Sequence, residues 1–129
     1  MINYGFSKEV DGSYEETIVA VEEALSKQGF GVLTRIDLKE KFKEKLGIEF
    51  TKYTILGACN APNAHKAILA EENIGLMLPC NVIVYEKGAK TVLSVIRPEA
   101  AMGMIDNDEL RRLAGDVEEK LKNVFDAIA

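Results

Sequence analysis

Two long alternating runs, Leu76 to Glu86 and Lys90 to Arg97, stand on either side of Lys87-Gly88-Ala89. A three-residue loop containing Gly joins strands that turn back on each other, so this stretch predicts an antiparallel hairpin. Successive strand residues point to opposite faces. Leu76, Leu78, Cys80, Val82 and Val84 therefore share one face, all apolar, while Met77, Pro79, Asn81, Ile83 and Tyr85 share the other, which is mixed. The rest of the chain has to cover that apolar face.

The cover is legible in the helical periods. Ile2 to Val10 alternates Ile2, Tyr4 and Phe6 against Asn3, Gly5 and Ser7, the period of a half-buried strand. Ser13 stands three residues before Glu16, a capping-box spacing, and predicts a helix from about Tyr14 to Gln28 with Ile18, Val21 and Leu25 inward and Gly29 as its stop. Phe30 to Ile36 reads as a second strand. Asp37 caps a solvated helix with Leu38, Phe42 and Leu46 on one stripe and charge on the other sides; Gly47 stops it and Ile48 to Phe50 is an extended link. A third strand covers Tyr53 to Ala58. Asn60 then caps a helix with Pro62 in its first turn, running to about Glu72. After Pro98, residues Glu99 to Asp106 read as irregular. Asp106 or Asn107 caps a last helix with Leu110, Leu113, Val117, Leu121, Phe125 and Ile128 at helical spacing.

The order β-α-β-α-β-α-β-β-α predicts an α+β domain spanning 1–129: a single mixed, largely antiparallel sheet with helices packed mainly on one face. Strand order stays open. At 47% apolar and 129 residues the chain can bury a core, and disorder is excluded. No apolar run approaches the roughly 20 residues of a membrane span, and the N-terminal stretch shows no signal peptide, so the expectation is a soluble cytoplasmic protein with no membrane partner. The formal charge of −5 argues against broad nucleic-acid binding. A short sheet has edges to protect, which points to a homodimer.

Two cysteines are too few for a disulfide framework, so Cys59 and Cys80 are expected as free thiols. Cys59-Asn60-Ala61-Pro62 falls at a strand-to-helix junction, where unpaired backbone amides acidify a thiol or hold an anion. The plain alternative is a buried apolar cysteine whose neighbour Asn60 already caps the helix. Pro79-Cys80-Asn81 is the second candidate. If the two strands are neighbours, both thiols meet His65, the only histidine, around one site. Two sulfurs and an imidazole suit zinc with a fourth position open, although the spacing matches no familiar zinc motif. A thiol redox pair uses the same geometry. Met102 and Met104 flank Gly103 and read as gap-fillers under a loop, in a segment able to close over a pocket. With one histidine no hydrolase triad is readable, and no Walker or Rossmann fingerprint occurs.

Tyr53 to Pro62, then Ala64-His65-Lys66-Ala67, then Ile74-Gly75-Leu76-Met77-Leu78-Pro79-Cys80-Asn81-Val82 resembles the family known as domain of unknown function 302. Phe30 to Asp37 and Ser94-Val95-Ile96-Arg97-Pro98 resemble it as well, so nearly the whole chain is covered. One departure is Ala61: the family pattern commonly puts Pro directly after the Cys-Asn pair, and here Pro comes at Pro62. The resemblance implies a compact α+β domain able to dimerise and supplies no activity. It also implies a location, with the motif residues converging on Cys59, Asn60, His65, Pro79, Cys80 and Asn81.

The leading expectation is a small-ligand-binding domain with its site at Cys59, Asn60, His65, Cys80 and Asn81, taking a small molecule or an anion. Two alternatives stay open. One is a thiol-based redox or zinc-binding protein using Cys59, His65 and Cys80; the other is a structural dimerisation or interaction module.

Overall fold

The structure, a computed structural model, describes residues 2–129. Its strands are β1 (Gly5–Val10), β2 (Gly31–Asp37), β3 (Tyr53–Cys59), β4 (Cys80–Lys87) and β5 (Lys90–Ile96). The helices are α1 (Tyr14–Lys27), α2 (Leu38–Leu46), α3 (Ala61–Ala70), α4 (Pro98–Ala101) and α5 (Asp108–Ala127), with a 3-10 turn over Glu72–Met77. The strands form one sheet in the order β1-β5-β4-β3-β2.

This is the single, largely antiparallel sheet of an α+β domain that the sequence predicts, and since every pairing in it is antiparallel, only the word mixed is corrected. The reason lies in where each connection starts and ends. Asp37 pairs with Thr54, so the α2 excursion leaves and re-enters at one end of the sheet. Ala58 pairs with Cys80, so the excursion through α3 and the 3-10 turn does the same. Both are helical insertions in antiparallel hairpins. The one crossover, through α1, links the two edge strands, β1 and β2, which run the same way but are never neighbours.

Local chemistry accounts for the ends of these elements. Ser13 and Glu16 make the reciprocal cap of α1, Asp37 caps α2 through the Glu40 amide, and Asn107 caps α5 through the Leu110 amide. Gly88 takes φ +62° in a two-residue turn, because Lys87 and Lys90 already pair across the hairpin.

Two apolar clusters result. The larger lies between the sheet and helices α1 and α5, where Val21 and Leu25 meet Leu56, Val82, Val84 and Leu93, with Leu121 and Val124 closing it. The smaller lies beyond the end of the sheet, where Ala67, Ile74, Met102, Leu110 and Ala114 come together from α3, the 3-10 turn, the segment after α4, and α5. On the opposite face of the sheet Tyr53 and Tyr85 pair across the strands with rings stacked at 5.1 Å.

Three local expectations change. Leu76 to Pro79 is not strand: the buried Ile74 anchors a 3-10 turn instead, Leu76 is 90% exposed, and the Leu78–Pro79 peptide is cis. Pro98 begins a single helical turn where an irregular segment was expected. The buried stripe of α5 is Leu110, Ala114, Glu118, Leu121 and Val124, which brings a carboxylate into the interior.

Candidate functional site

Cys59 closes β3 and Cys80 opens β4, side by side at the end of the sheet from which α3 departs. Cys80 lies on the helix-facing side with Val82 and Val84 and is buried, whereas Cys59 is half-buried; both are free thiols. They line one cavity of about 30 Å³, together with Phe30 and Ala58 of the larger cluster and Ala67, Met102, Leu110 and Ala114 of the smaller. The cavity therefore sits in the seam between the two cores. It has room for about one water-sized group, and its walls are almost wholly apolar.

Leu78, Cys80, Pro98 and Met102 also border a second hollow, a surface groove of about 270 Å³ between residues 76–81 and α4. The groove adjoins the cavity along these four residues. Burial, with the neighbouring Cys59 charge adding to it, pushes the Cys80 thiol up to about 11. At neutral pH Cys80 is therefore the uncharged thiol, a poor nucleophile.

Asn60 does what a cap residue should. Its side chain accepts the Asn63 amide at 3.3 Å and its carbonyl accepts the Ala64 amide at 2.9 Å. Pro62 has no N–H to offer. The start of α3 is thus largely satisfied by its own cap, which leaves little for an anion.

His65 is placed elsewhere. Asn60, Asn63, Ala64 and Ala67 form the stripe of α3 that faces the cavity, and this spacing turns His65 outward, where it is exposed. Among the described residues, no three of His, Cys, Asp and Glu converge to hold a metal ion. The zinc set Cys59, His65 and Cys80 does not form such a group: the residues Cys59 and Cys80 lie at the same end of β3 and β4, with Cys59 on the face that Gly57 and Asn81 share, and His65 is turned outward. Asn81 points to the face opposite Cys80 and is exposed, bordering the groove rather than the cavity. Pro79 packs over Gly57 on the same side, where a Cβ would come within 2.7 Å of the proline ring.

The residue that the sequence left out of this group is Met102, which is buried and lines both the cavity and the groove. Its signal was present as a methionine in a segment able to close over a pocket. What periodicity lacked was the α4 turn that brings it back over Cys80.

Residues 6–128 match the family model described as domain of unknown function DUF302. The chain belongs to the DUF302 family. It is similar to a crystal structure of an uncharacterized conserved protein DUF302 from Bacillus stearothermophilus, with 31% identity over 99% of this chain and 100% of that one, and a TM-score of 0.92. No curated protein matches the chain. In this DUF302 chain the two motifs that carry the resemblance, Cys59-Asn60 and Pro79-Cys80-Asn81, lie at the same end of the β3–β4 pair. No helix among the described residues is long and apolar enough to cross a membrane.

Proposed function

We propose that this DUF302 chain is a small-ligand-binding module whose site is the seam at Cys59, Asn60 and Cys80. The observation that carries the reading is that the residues at the ends of two neighbouring strands, with the buried Cys80 among them, border one cavity where two separate cores meet. The adjoining groove, which shares Leu78, Cys80, Pro98 and Met102 with that cavity, supplies the volume that the cavity lacks. A ligand of this site inserts a small apolar or thiol-seeking group beside Cys80 and leaves the remainder in the groove, bordered by Asn81. A thiol-based redox role has less support, because burial holds Cys80 as the neutral thiol.

The test is amide-resolved NMR of the reduced protein with a panel of small neutral fragments. Shifts concentrated at Cys59, Asn60, Cys80 and Met102 are expected. Shifts confined to the opposite sheet face, or none at all, overturn the reading.

A different surface favours self-association. The face of the sheet opposite the main core holds a depression of about 540 Å³ lined by Tyr4, Tyr53, Ile83, Tyr85 and Ser94, with Lys87 its single charged residue. Copies carrying −5 each repel one another over most of their surface, and a nearly uncharged face is where a second copy meets least repulsion. We therefore propose a homodimer through this face. Sedimentation velocity on the native chain and on Ile83→Lys checks it: the native chain runs as a dimer and the variant as a monomer. A native chain that stays monomeric at high concentration removes the idea.

A further inference from the structure

We infer that the seam and its groove hold an unbranched aliphatic chain with an uncharged polar head, such as a straight-chain alcohol. This rests on the proposed reading of the seam as a ligand site and names the ligand class.

The absence of charge selects the class. Among the described residues, no lysine, arginine, histidine, aspartate or glutamate lines the cavity or the groove. An ionised ligand there would lose its water and find no partner, a penalty that burial of a short chain does not offset. Cys80, buried as the neutral thiol, acts as one more small apolar wall. The other polar side chain of the groove is Asn81, whose amide both donates and accepts and so suits a hydroxyl head.

Shape narrows the class to a thin chain. The cavity of about 30 Å³ takes about one methyl-sized group, and the groove of about 270 Å³ takes a short stretch behind it. A ring does not fit the inner hollow. Leu78, Cys80, Pro98 and Met102 line both spaces, and of the four only Met102 is a long, unbranched and flexible side chain. A change of its rotamer joins cavity to groove while the backbone stays in place. The driving force lies at the rim, where Leu76 lines the groove and is 90% exposed. An alkyl chain laid along Leu76 takes that surface out of water.

Each methylene that leaves water for the groove strengthens binding by up to about fourfold, until the groove is full and further carbons stay in solvent. Affinity therefore rises with chain length and then levels off. Binding makes no covalent bond, and the Cys80 thiol keeps its proton.

The experiment is titration of the reduced full chain with straight-chain alcohols from butanol to octanol, read from the amide shifts of Cys80 and Met102. Hexanoate and hexylammonium serve as the charged counterparts of hexanol. A gain of about threefold per methylene that ends in a plateau is expected, with both charged ligands at least about tenfold weaker than hexanol. Leu76→Ser, on a residue outside both apolar clusters, weakens hexanol about fivefold. Leu69→Ser, on an exposed leucine that borders neither hollow, changes nothing. Met102→Ala clears the shared wall and moves the plateau to a longer chain; should it fail to fold, the Leu76 variant still decides the matter. Affinity that ignores chain length, charged ligands that bind as well as hexanol, or a Leu76→Ser chain that binds undiminished overturns the inference. If the shifts with other neutral fragments persist at Cys59 and Cys80 in that case, the aliphatic assignment alone fails; if they too are missing, the seam is not a ligand site.

Discussion

The Glu118 carboxylate on α5 accepts a hydrogen bond from Arg97 Nε at 3.1 Å, and its other oxygen accepts the Glu99 amide at 3.1 Å. Glu118 thereby caps α4 from outside, since Arg97 at the N-cap position makes no side-chain cap of its own. Arg97 in turn donates to the Asn3 carbonyl, so one carboxylate ties the last helix to the end of β5 and the approach to β1. The residue also explains why a carboxylate interrupts the apolar stripe of α5.

Removing that carboxylate leaves a partly buried guanidinium and a helix-end amide without their acceptor. Glu118→Ala should cost about 2–3 kcal/mol in urea unfolding, with Glu118→Gln in between because it keeps an acceptor. A loss under about 0.5 kcal/mol for the alanine variant would show that the pair is ornamental.

Tyr14 of α1 and Thr54 of β3 share a buried hydrogen bond between their hydroxyls, and burial raises the Tyr14 phenol above its ordinary range. Tyr14→Phe keeps the ring and orphans the Thr54 hydroxyl, at a cost of about 1–2 kcal/mol. The double variant Tyr14→Phe with Thr54→Val should recover part of it, which a thermal melt of the three proteins resolves.

Gly57 has no room for a side chain, because a Cβ there would run into the Thr34 hydroxyl and the Pro79 ring. Gly57→Ala is expected to destabilise by about 1–3 kcal/mol despite adding one methyl group. Pairing it with Thr34→Gly removes one of the two obstacles and should restore some stability; no recovery would mean that the Pro79 ring sets the limit.

Cys80 gives a pH signature. The folded chain holds its thiol proton more tightly than the unfolded chain does, so the stabilisation is complete below the ordinary value of 9.0 and is lost as pH rises from there to about 11. Native protein should therefore lose about 2–3 kcal/mol more than Cys80→Ala over that interval. Tyrosine and lysine titrations are common to both proteins and drop out of the difference. Parallel pH profiles for the two would contradict the burial of this thiol.

His65 provides the control. It is exposed and lies outside the seam, so His65→Ala should leave stability within about 0.5 kcal/mol and thiol reactivity unchanged. A marked change in either would bring the imidazole back towards Cys59.

Residues whose task is local were the ones readable from the sequence. As helix caps, Ser13 with Glu16, Asp37, Asn60 and Asn107 each accept an amide within three residues of themselves, and all four caps stand where their spacing put them. Parity along β4 placed Cys80 inward and Asn81 outward for the same reason. The departures are tertiary. Leu76 continues the alternation of β4 on paper, yet burial of Ile74 holds it in the 3-10 turn and out in solvent. Glu118 is polar by type and interior by partnership with Arg97. The juxtaposition of Cys59 and Cys80 follows from β3 pairing with β4, and the rotation of His65 away from them follows from the stripe of α3 that the seam demands. Only the first of these two was reachable from strand adjacency.

Gly5 of β1 pairs with Ile96 of β5, so β1 is made long before the strand it pairs with. Until residue 96 has left the ribosome, β1 has no partner to complete its ladder, and α1 has only part of the surface it will cover. The meander from β2 to β4 has no such wait. Nascent chains of this protein should hence carry an unpaired β1 while β2 to β4 are made, a stretch open to proteases and to neighbouring chains until β5 emerges.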